Sequence, residues 1–209
     1  MAGDAVVLGA ILAGGASRRM GQTKATLEID GMKLAHRVAR SLVGGGARSV
    51  VLVGSDPATS SALGLEVVDD RWPGSGPLAG LASVVSWAAT DARAHRVVVV
   101  AACDQPDLSS DLVARELAAL ATAPHRTMGC VPMTPDGRRQ PFPSAWRVEA
   151  APMLVELVEA GQRRAAAASE RPDVIEIDAQ EHDLADLDLP EDLARRRAAA
   201  TGPVEDPSG

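Results

Sequence analysis

The chain has no tyrosine, one phenylalanine and three tryptophans among its 209 residues. With so few aromatic side chains, Ala, Val and Leu must fill the interior. Small apolar side chains suit helices packed closely on a parallel sheet. Cysteine is scarce as well. Cys103 and Cys130 are too few and too far apart for a disulfide framework, and they read as buried free thiols of a reducing compartment. The four histidines, at 36, 95, 125 and 182, show no metal-ligand spacing. No apolar run reaches the roughly 20 residues of a membrane span, and the N-terminus lacks a basic segment followed by a long apolar one. These absences lead to the expectation of a soluble, cytoplasmic protein with no membrane partner. Positive charge is also in deficit. A formal net charge of −7 argues against general nucleic-acid binding, but a local cationic cluster can still hold a small anion.

What is present is an alternation of apolar runs and helical patterns. Ala5–Ile11, Val50–Val53, Val67–Val68, Arg96–Ala102 and Val174–Ile177 read as strands. The all-valine run at 97–100 is apolar on both faces, as a central parallel strand should be. Met32–Val43 reads as an amphipathic helix ended by Gly44-Gly45-Gly46, and Leu78–Ala89 as a second, entered by Pro77. Ser109 or Ser110 can cap a third that runs to about Leu120. Helices are expected over Val148–Ala160, Gln162–Ser169 and Pro190–Arg197. A Pro-Asp-Gly turn at 135–137 suggests a small β excursion around 131–146. The expected fold class is α/β, one doubly wound and mostly parallel sheet, with one domain over 5–197 and a disordered tail over 198–209.

The segment LAGGASRRMGQTK, Leu12–Lys24, follows the first strand directly. Gly14 and Gly15 let backbone N–H groups approach a phosphate closely. Arg18, Arg19 and Lys24 add positive charge over the same few residues. Open α/β sheets bind ligands at this edge. Gln22 and Thr23 separate Gly21 from Lys24, so the loop is not a G-x-x-x-x-G-K-[ST] loop, and it lacks G-x-G-x-x-G too.

Three further segments carry chemistry. Cys103-Asp104-Gln105-Pro106 sets a carboxylate just past the all-valine strand. Asp104 there is a hard oxygen donor suited to Mg²⁺, or the cap of a turn. Asp69–Gly80 ends in GPLAG, with Asp70 near its start. Its Gly76, Pro77, Leu78, Ala79 and Gly80 read as a helix N-terminus with Pro in the first turn. Gly161-Gln162-Arg163-Arg164 offers two guanidinium groups for a phosphate, or a solvated helix start.

The LAGG-x-S-x-R-M-G-x-x-K pattern at 12–24 resembles the signature loop of nucleotidyltransferases related to molybdenum cofactor guanylyltransferase, and every fixed position is matched. The resemblance implies a Rossmann-like nucleotidyltransferase fold and Mg²⁺ as cofactor. It implies transfer of GMP from GTP to molybdopterin, with release of pyrophosphate. By position, Leu12, Ala13, Gly14, Gly15 and Lys24 would contact the nucleotide. Lys24, Arg18, Arg19 and Asp104 would carry catalysis, and Asp104 would hold the metal. GPLAG at 76–80 and Asp70 match the second nucleotide loop of the family, and together with LAGG they point to guanine rather than cytosine. Ser55 falls where the family often has Asn near the nucleotide, or marks a simple strand-end turn. Arg163 and Arg164 resemble the G-E-R-R segment on the pterin-phosphate side, with Gln162 replacing the acidic residue. Molybdoenzymes or their chaperones would receive the product.

One departure bears on the acceptor. The family pattern N-x-N-T-P-E-D-L is replaced by Asp186-Leu187-Asp188-Leu189-Pro190-Glu191-Asp192-Leu193. An ionised Asp accepts hydrogen bonds but cannot donate them to an anion. A CTP-using relative, an enzyme with another phosphorylated acceptor and a non-catalytic nucleotide-binding module are the alternative readings.

Overall fold

In the computed structural model, residues 6–14 and 23–185 are described. Val7–Leu12 forms β1, whose central residues are buried. A hairpin follows, made of β2 (Glu28–Ile29) and β3 (Met32–Lys33). Its two-residue loop, Asp30-Gly31, has positive φ at both positions, the backbone of a type I′ turn. The helix expected from Met32 therefore begins two residues later, as α1 over Leu34–Gly44. β4 (Ser49–Val53) leads to α2 (Pro57–Leu63), a helix with no apolar stripe to announce it. Asp56 caps α2 by accepting from the Thr59 N–H at 2.9 Å.

β5 (Glu66–Val68) and α3 (Pro77–Thr90) come next, followed by β6 (Val97–Ala102). α4 (Ser110–Thr122) has Ser109 as its N-cap, accepting from the Leu112 N–H at 3.1 Å. β7 (Gly129–Met133) and β8 (Ser144–Arg147) flank the Pro-Asp-Gly turn. The helix expected from Val148 opens with a 3-10 turn and becomes α5 over Ala151–Glu159. Of the stretch 162–169 only Ala166–Ser169 is helical, as α6. β9 spans Val174–Asp178. The expected final helix from Pro190 and the tail over 198–209 lie outside the described residues.

The sheet has seven strands in the order β5-β4-β1-β6-β8-β7-β9. All neighbouring pairs are parallel except the two made by β8. The segment 131–146, read as an excursion, is thus a structural part of the sheet, because β8 inserts between β6 and β7. β8 is anchored by Trp146, fully buried, whose Nε1–H donates to Ser144 Oγ at 2.9 Å.

Successive β6 residues enter opposite layers, as the strand period of two requires. Val98 and Val100 pack with α3 and α5, while Val99 and Ala101 pack with α1 and α4. Helices therefore cover both faces, and the sheet is doubly wound. Cys103 and Cys130 are buried free thiols, each pushed up to about 12 chiefly by burial. Neither ionises near neutral pH, so neither is poised as a nucleophile. Among the described residues, no helix is long and apolar enough to cross a membrane.

Candidate active site

Parallel strands point their carboxyl ends the same way, so the loops after β1, β4, β5 and β6 share one edge. Backbone bonds lace these loops together. The Ala13 N–H donates to Val53 O at 3.1 Å, the Gly54 N–H to Val68 O at 3.1 Å and the Cys103 N–H to Leu12 O at 3.2 Å. Gly14 stands against Gly54, where an added Cβ would meet the Gly54 carbonyl oxygen at 3.3 Å. Gly54 has φ +66°, and a Cβ there would lie 3.4 Å from the Asp70 Cβ. The structure thus brings Gly14 and Asp70 to either side of the same backbone turn. Asp70 Oδ1 accepts from the Trp72 N–H at 3.0 Å and from Ser83 Oγ at 3.3 Å, which fixes its carboxylate against α3. Ser55 follows Gly54 on the same edge, half-buried, with a long 3.5 Å bond to Asp56 O.

Lys24 returns from the loop after β1 in a 3-10 turn over Lys24–Thr26. Its Nζ lies 3.0 Å from Asp104 Oδ2, and the two side chains are 25 % and 22 % exposed. The pair joins residues 80 apart in the chain. Thr23 Oγ1, within 3.4 Å of Thr59 Oγ1, ties the same segment to α2. An ammonium and a carboxylate in contact at the carboxyl edge of the sheet can exchange each other for a phosphate and a cation.

The second loop is built around Gly76, at φ +88°. A Cβ at this position would come within 2.6 Å of the Arg163 carbonyl oxygen, so only glycine fits. That carbonyl accepts the Leu78 N–H at 3.3 Å. Arg163 is therefore brought to the loop by its backbone, while its side chain and that of Arg164 are exposed. Leu78, Ala79 and Gly80 are buried, leaving Gly76 and Pro77 as the part of this loop facing outward. Gly80 packs on Leu12, where an added Cβ would meet Leu12 Cδ2 at 3.1 Å.

Gly15, Arg18 and Arg19 lie outside the described residues, as does 186–193. The sequence reading passed over Gln105 and Gly54. Gln105 is 3 % exposed and hydrogen-bonded on both sides of its carboxamide. A glutamine between Asp104 and Pro106 carries no marker of burial, whereas Gly54 directly after an apolar strand was a readable sign of a tight turn. Among the described residues, no three His, Cys, Asp or Glu side chains converge as a metal cage. One carboxylate nevertheless suits Mg²⁺, which keeps several waters and takes further oxygens from phosphates.

A doubly wound sheet with two glycine-shaped loops and a Lys–Asp pair on its carboxyl edge is the frame of a nucleoside triphosphate-using transferase. Residues 9–174 match the family model described as MobA-like NTP transferase domain. The chain belongs to that family, and is a nucleotidyltransferase. A molybdenum cofactor guanylyltransferase of Rhodobacter capsulatus is 36 % identical over 193 residues, covering 90 % of this chain and 94 % of the relative. The fold is shared with molybdopterin-guanine dinucleotide biosynthesis protein A of Archaeoglobus fulgidus, with TM-score 0.72 and 22 % identity over 93 % of this chain and 98 % of that one. It is shared too with 4-diphosphocytidyl-2C-methyl-D-erythritol synthase of Anaerococcus prevotii, with TM-score 0.70 and 12 % identity over 95 % and 97 %. Fold likeness therefore extends to a cytidylyl enzyme.

Proposed function

We propose that this enzyme is a molybdenum cofactor guanylyltransferase, which joins GMP from GTP to the terminal phosphate of molybdopterin. A phosphate oxygen of the acceptor attacks the α-phosphorus of GTP. The bond from that phosphorus to the bridging oxygen breaks, and pyrophosphate leaves. The acceptor phosphate is already an anionic nucleophile, so the protein need supply no nucleophile of its own. The contact between Lys24 and Asp104 carries this reading, because it joins the phosphate-directed loop to the metal-suited carboxylate at one point.

In this reading the backbone of Leu12, Ala13, Gly14 and Gly15 receives the nucleotide, with Ser55 and Asp70 beside it. Lys24, Arg18 and Arg19 balance charge on the triphosphate as it builds in transfer. Asp104 holds Mg²⁺, which when bound supplies charge neutralisation across the phosphate oxygens. Gly76 and Pro77 face the guanine, and buried Leu78, Ala79 and Gly80 keep that loop in place. Arg163 and Arg164, exposed next to the Gly76 loop, take the acceptor phosphate. The enzyme works in the cytoplasm and passes its product to molybdoenzymes or their chaperones.

The replacement of both pattern asparagines by Asp186 and Asp188 favours a second reading, in which the acceptor is another phosphorylated compound. A panel of GTP, CTP and ATP with Mg²⁺ and purified molybdopterin tests both. GTP consumption at least about 10²-fold more efficient than that of CTP is expected, since polar mismatch in a base pocket is strongly penalised. Equal or better use of CTP overturns the guanine assignment. GTP binding without pyrophosphate release in the presence of molybdopterin overturns the acceptor.

A further inference from the structure

Gln105 has no role in the activity described above. A buried carboxamide must satisfy both its oxygen and its nitrogen. Gln105 Oε1 accepts the Ala102 N–H at 3.2 Å, and its Nε2–H donates to the Phe142 carbonyl at 3.0 Å. Which partners these are is informative. β6 and β8 run antiparallel, with Val100 opposite Ser144 as the last pair of the ladder. Two residues further on, the same register sets Ala102 opposite Phe142. Bonded pairs alternate along an antiparallel ladder. The Val148 N–H donates to Arg96 O at 3.1 Å, so the even-numbered positions of β6 are the bonded ones. Ala102 and Phe142 would therefore bond directly if the ladder continued.

The Gln105 carboxamide stands between them instead. It accepts from one strand and donates to the other, as a peptide group of an intervening strand would. We propose that Gln105 is a positioning residue for Asp104, a side-chain wedge that holds β6 and β8 one amide apart at the carboxyl end of β6. The inference rests on the reading of Asp104 as the metal-binding carboxylate. The same residue closes the turn locally, since the Gln105 N–H bonds Ala102 O at 3.4 Å and Gln105 O accepts the Leu108 N–H at 3.3 Å. Asp104 thus stands on a turn pinned at its base, its carboxylate aimed at Lys24. Without the wedge the strands can zip by one more pair, which pulls the turn and its carboxylate out of line.

The test compares the parent with Gln105→Met, Gln105→Glu and Asp104→Asn. Methionine keeps the length and loses both bonds. Ionised glutamate keeps the acceptor for Ala102 and loses the donor to Phe142. Mn²⁺ binding in the presence of GTP is followed by electron paramagnetic resonance, alongside thermal unfolding and steady-state kinetics. Both Gln105 variants should fold, bind Mn²⁺ about 10-fold or more weakly, and lose kcat with KM for GTP held within about threefold at saturating metal. Parent-like Mn²⁺ affinity in a folded Gln105 variant overturns the wedge, and so does failure of both variants to fold, which makes the residue purely structural. Parent-like Mn²⁺ affinity in Asp104→Asn overturns the metal reading beneath it, whatever the Gln105 variants do.

Discussion

The two halves of the sheet share backbone bonds between their loops, and the half with β8 adds arginines bonded to main-chain carbonyls. In the parallel half, β5-β4-β1-β6, the loops at the carboxyl edge are laced by backbone bonds from Ala13, Gly54 and Cys103. In the half that contains β8, backbone bonds such as Met128 N–H to Asp173 O at 2.8 Å and Ala179 N–H to Met133 O at 3.0 Å are joined by arginines. Arg139 Nη1 donates to Ser169 O at 2.8 Å and to Arg171 O at 3.2 Å, while its Nη2 pairs with Glu176. Arg147 Nη2 donates to Leu120 O at 2.7 Å and to Ala123 O at 3.3 Å, at the end of α4. The difference separates side chains that meet at the proposed site from side chains that tie the frame. Lys24 and Asp104 pair with each other at the carboxyl edge of the first half, whereas Arg139 and Arg147 of the other half bond protein carbonyls. Substitutions of Lys24 and Asp104 should therefore cost turnover, and those of Arg139 and Arg147 should cost stability.

The sharpest break in that comparison is Asp104→Asn. The amide keeps the shape and loses the charge that a hard cation needs, so Mg²⁺-dependent turnover should fall by about 10²–10³-fold. Thermal unfolding should move little. A variant that turns over within about threefold of the parent at limiting Mg²⁺ would remove the metal role. Lys24→Ala comes next, with an expected loss of about 10²-fold in kcat/KM for the triphosphate. Unchanged kcat/KM would make Lys24 a surface charge and erase the contrast.

Arg139→Met tests the other half. It strips two carbonyls and Glu176 of a charged donor, which should destabilise the fold by about 1–3 kcal/mol. Chemical denaturation measures the cost, and kcat on the folded fraction should stay near that of the parent. A large drop in kcat would mean that the second half also tunes the chemistry.

The smallest effect is expected at Glu116, which is fully buried on α4 and, among the described residues, has no hydrogen bond to either carboxylate oxygen. Burial pushes this carboxyl well above the usual range, and nearby Arg115 offsets little of that. The folded state therefore retains a proton that the unfolded chain gives up near pH 4.3, the usual glutamate value. The unfolded state binds fewer protons, so stability falls as pH rises from there toward the raised folded value. Glu116→Met should remove that slope and gain about 1–2 kcal/mol near neutral pH. Parallel stability–pH curves for parent and variant would show that the carboxylate has partners in solution.

The parallel half was legible because its elements are apolar on both faces. Val97–Val100 and Val50–Val53 could hardly be anything but buried strands. α2 was not legible, since only Thr59 and Leu63 of its seven residues are buried and its start depends on the Asp56 cap. β8 reads SAWR, too short to show a period. The β2–β3 hairpin carried a usable sign in Asp30-Gly31, but each strand is only two residues long. In the site, glycines marked the loops at Gly14 and Gly76, but the atoms that exclude a Cβ there, Gly54 O and Arg163 O, come from distant parts of the chain. Gln105 announced nothing, since its partner Phe142 is 37 residues away.

The sequence by itself determined the family and the alternation of strand and helix. Each of these resides in a short run, where φ preference, side-chain charge and apolar periodicity act between near neighbours. Tertiary structure alone decided that β8 reverses between β6 and β7, that the Arg163 carbonyl closes on the Gly76 loop, and that Lys24 reaches Asp104 across 80 residues. Those contacts follow from strand order, and strand order is settled by burying both faces of a whole sheet at once, which no local segment can specify.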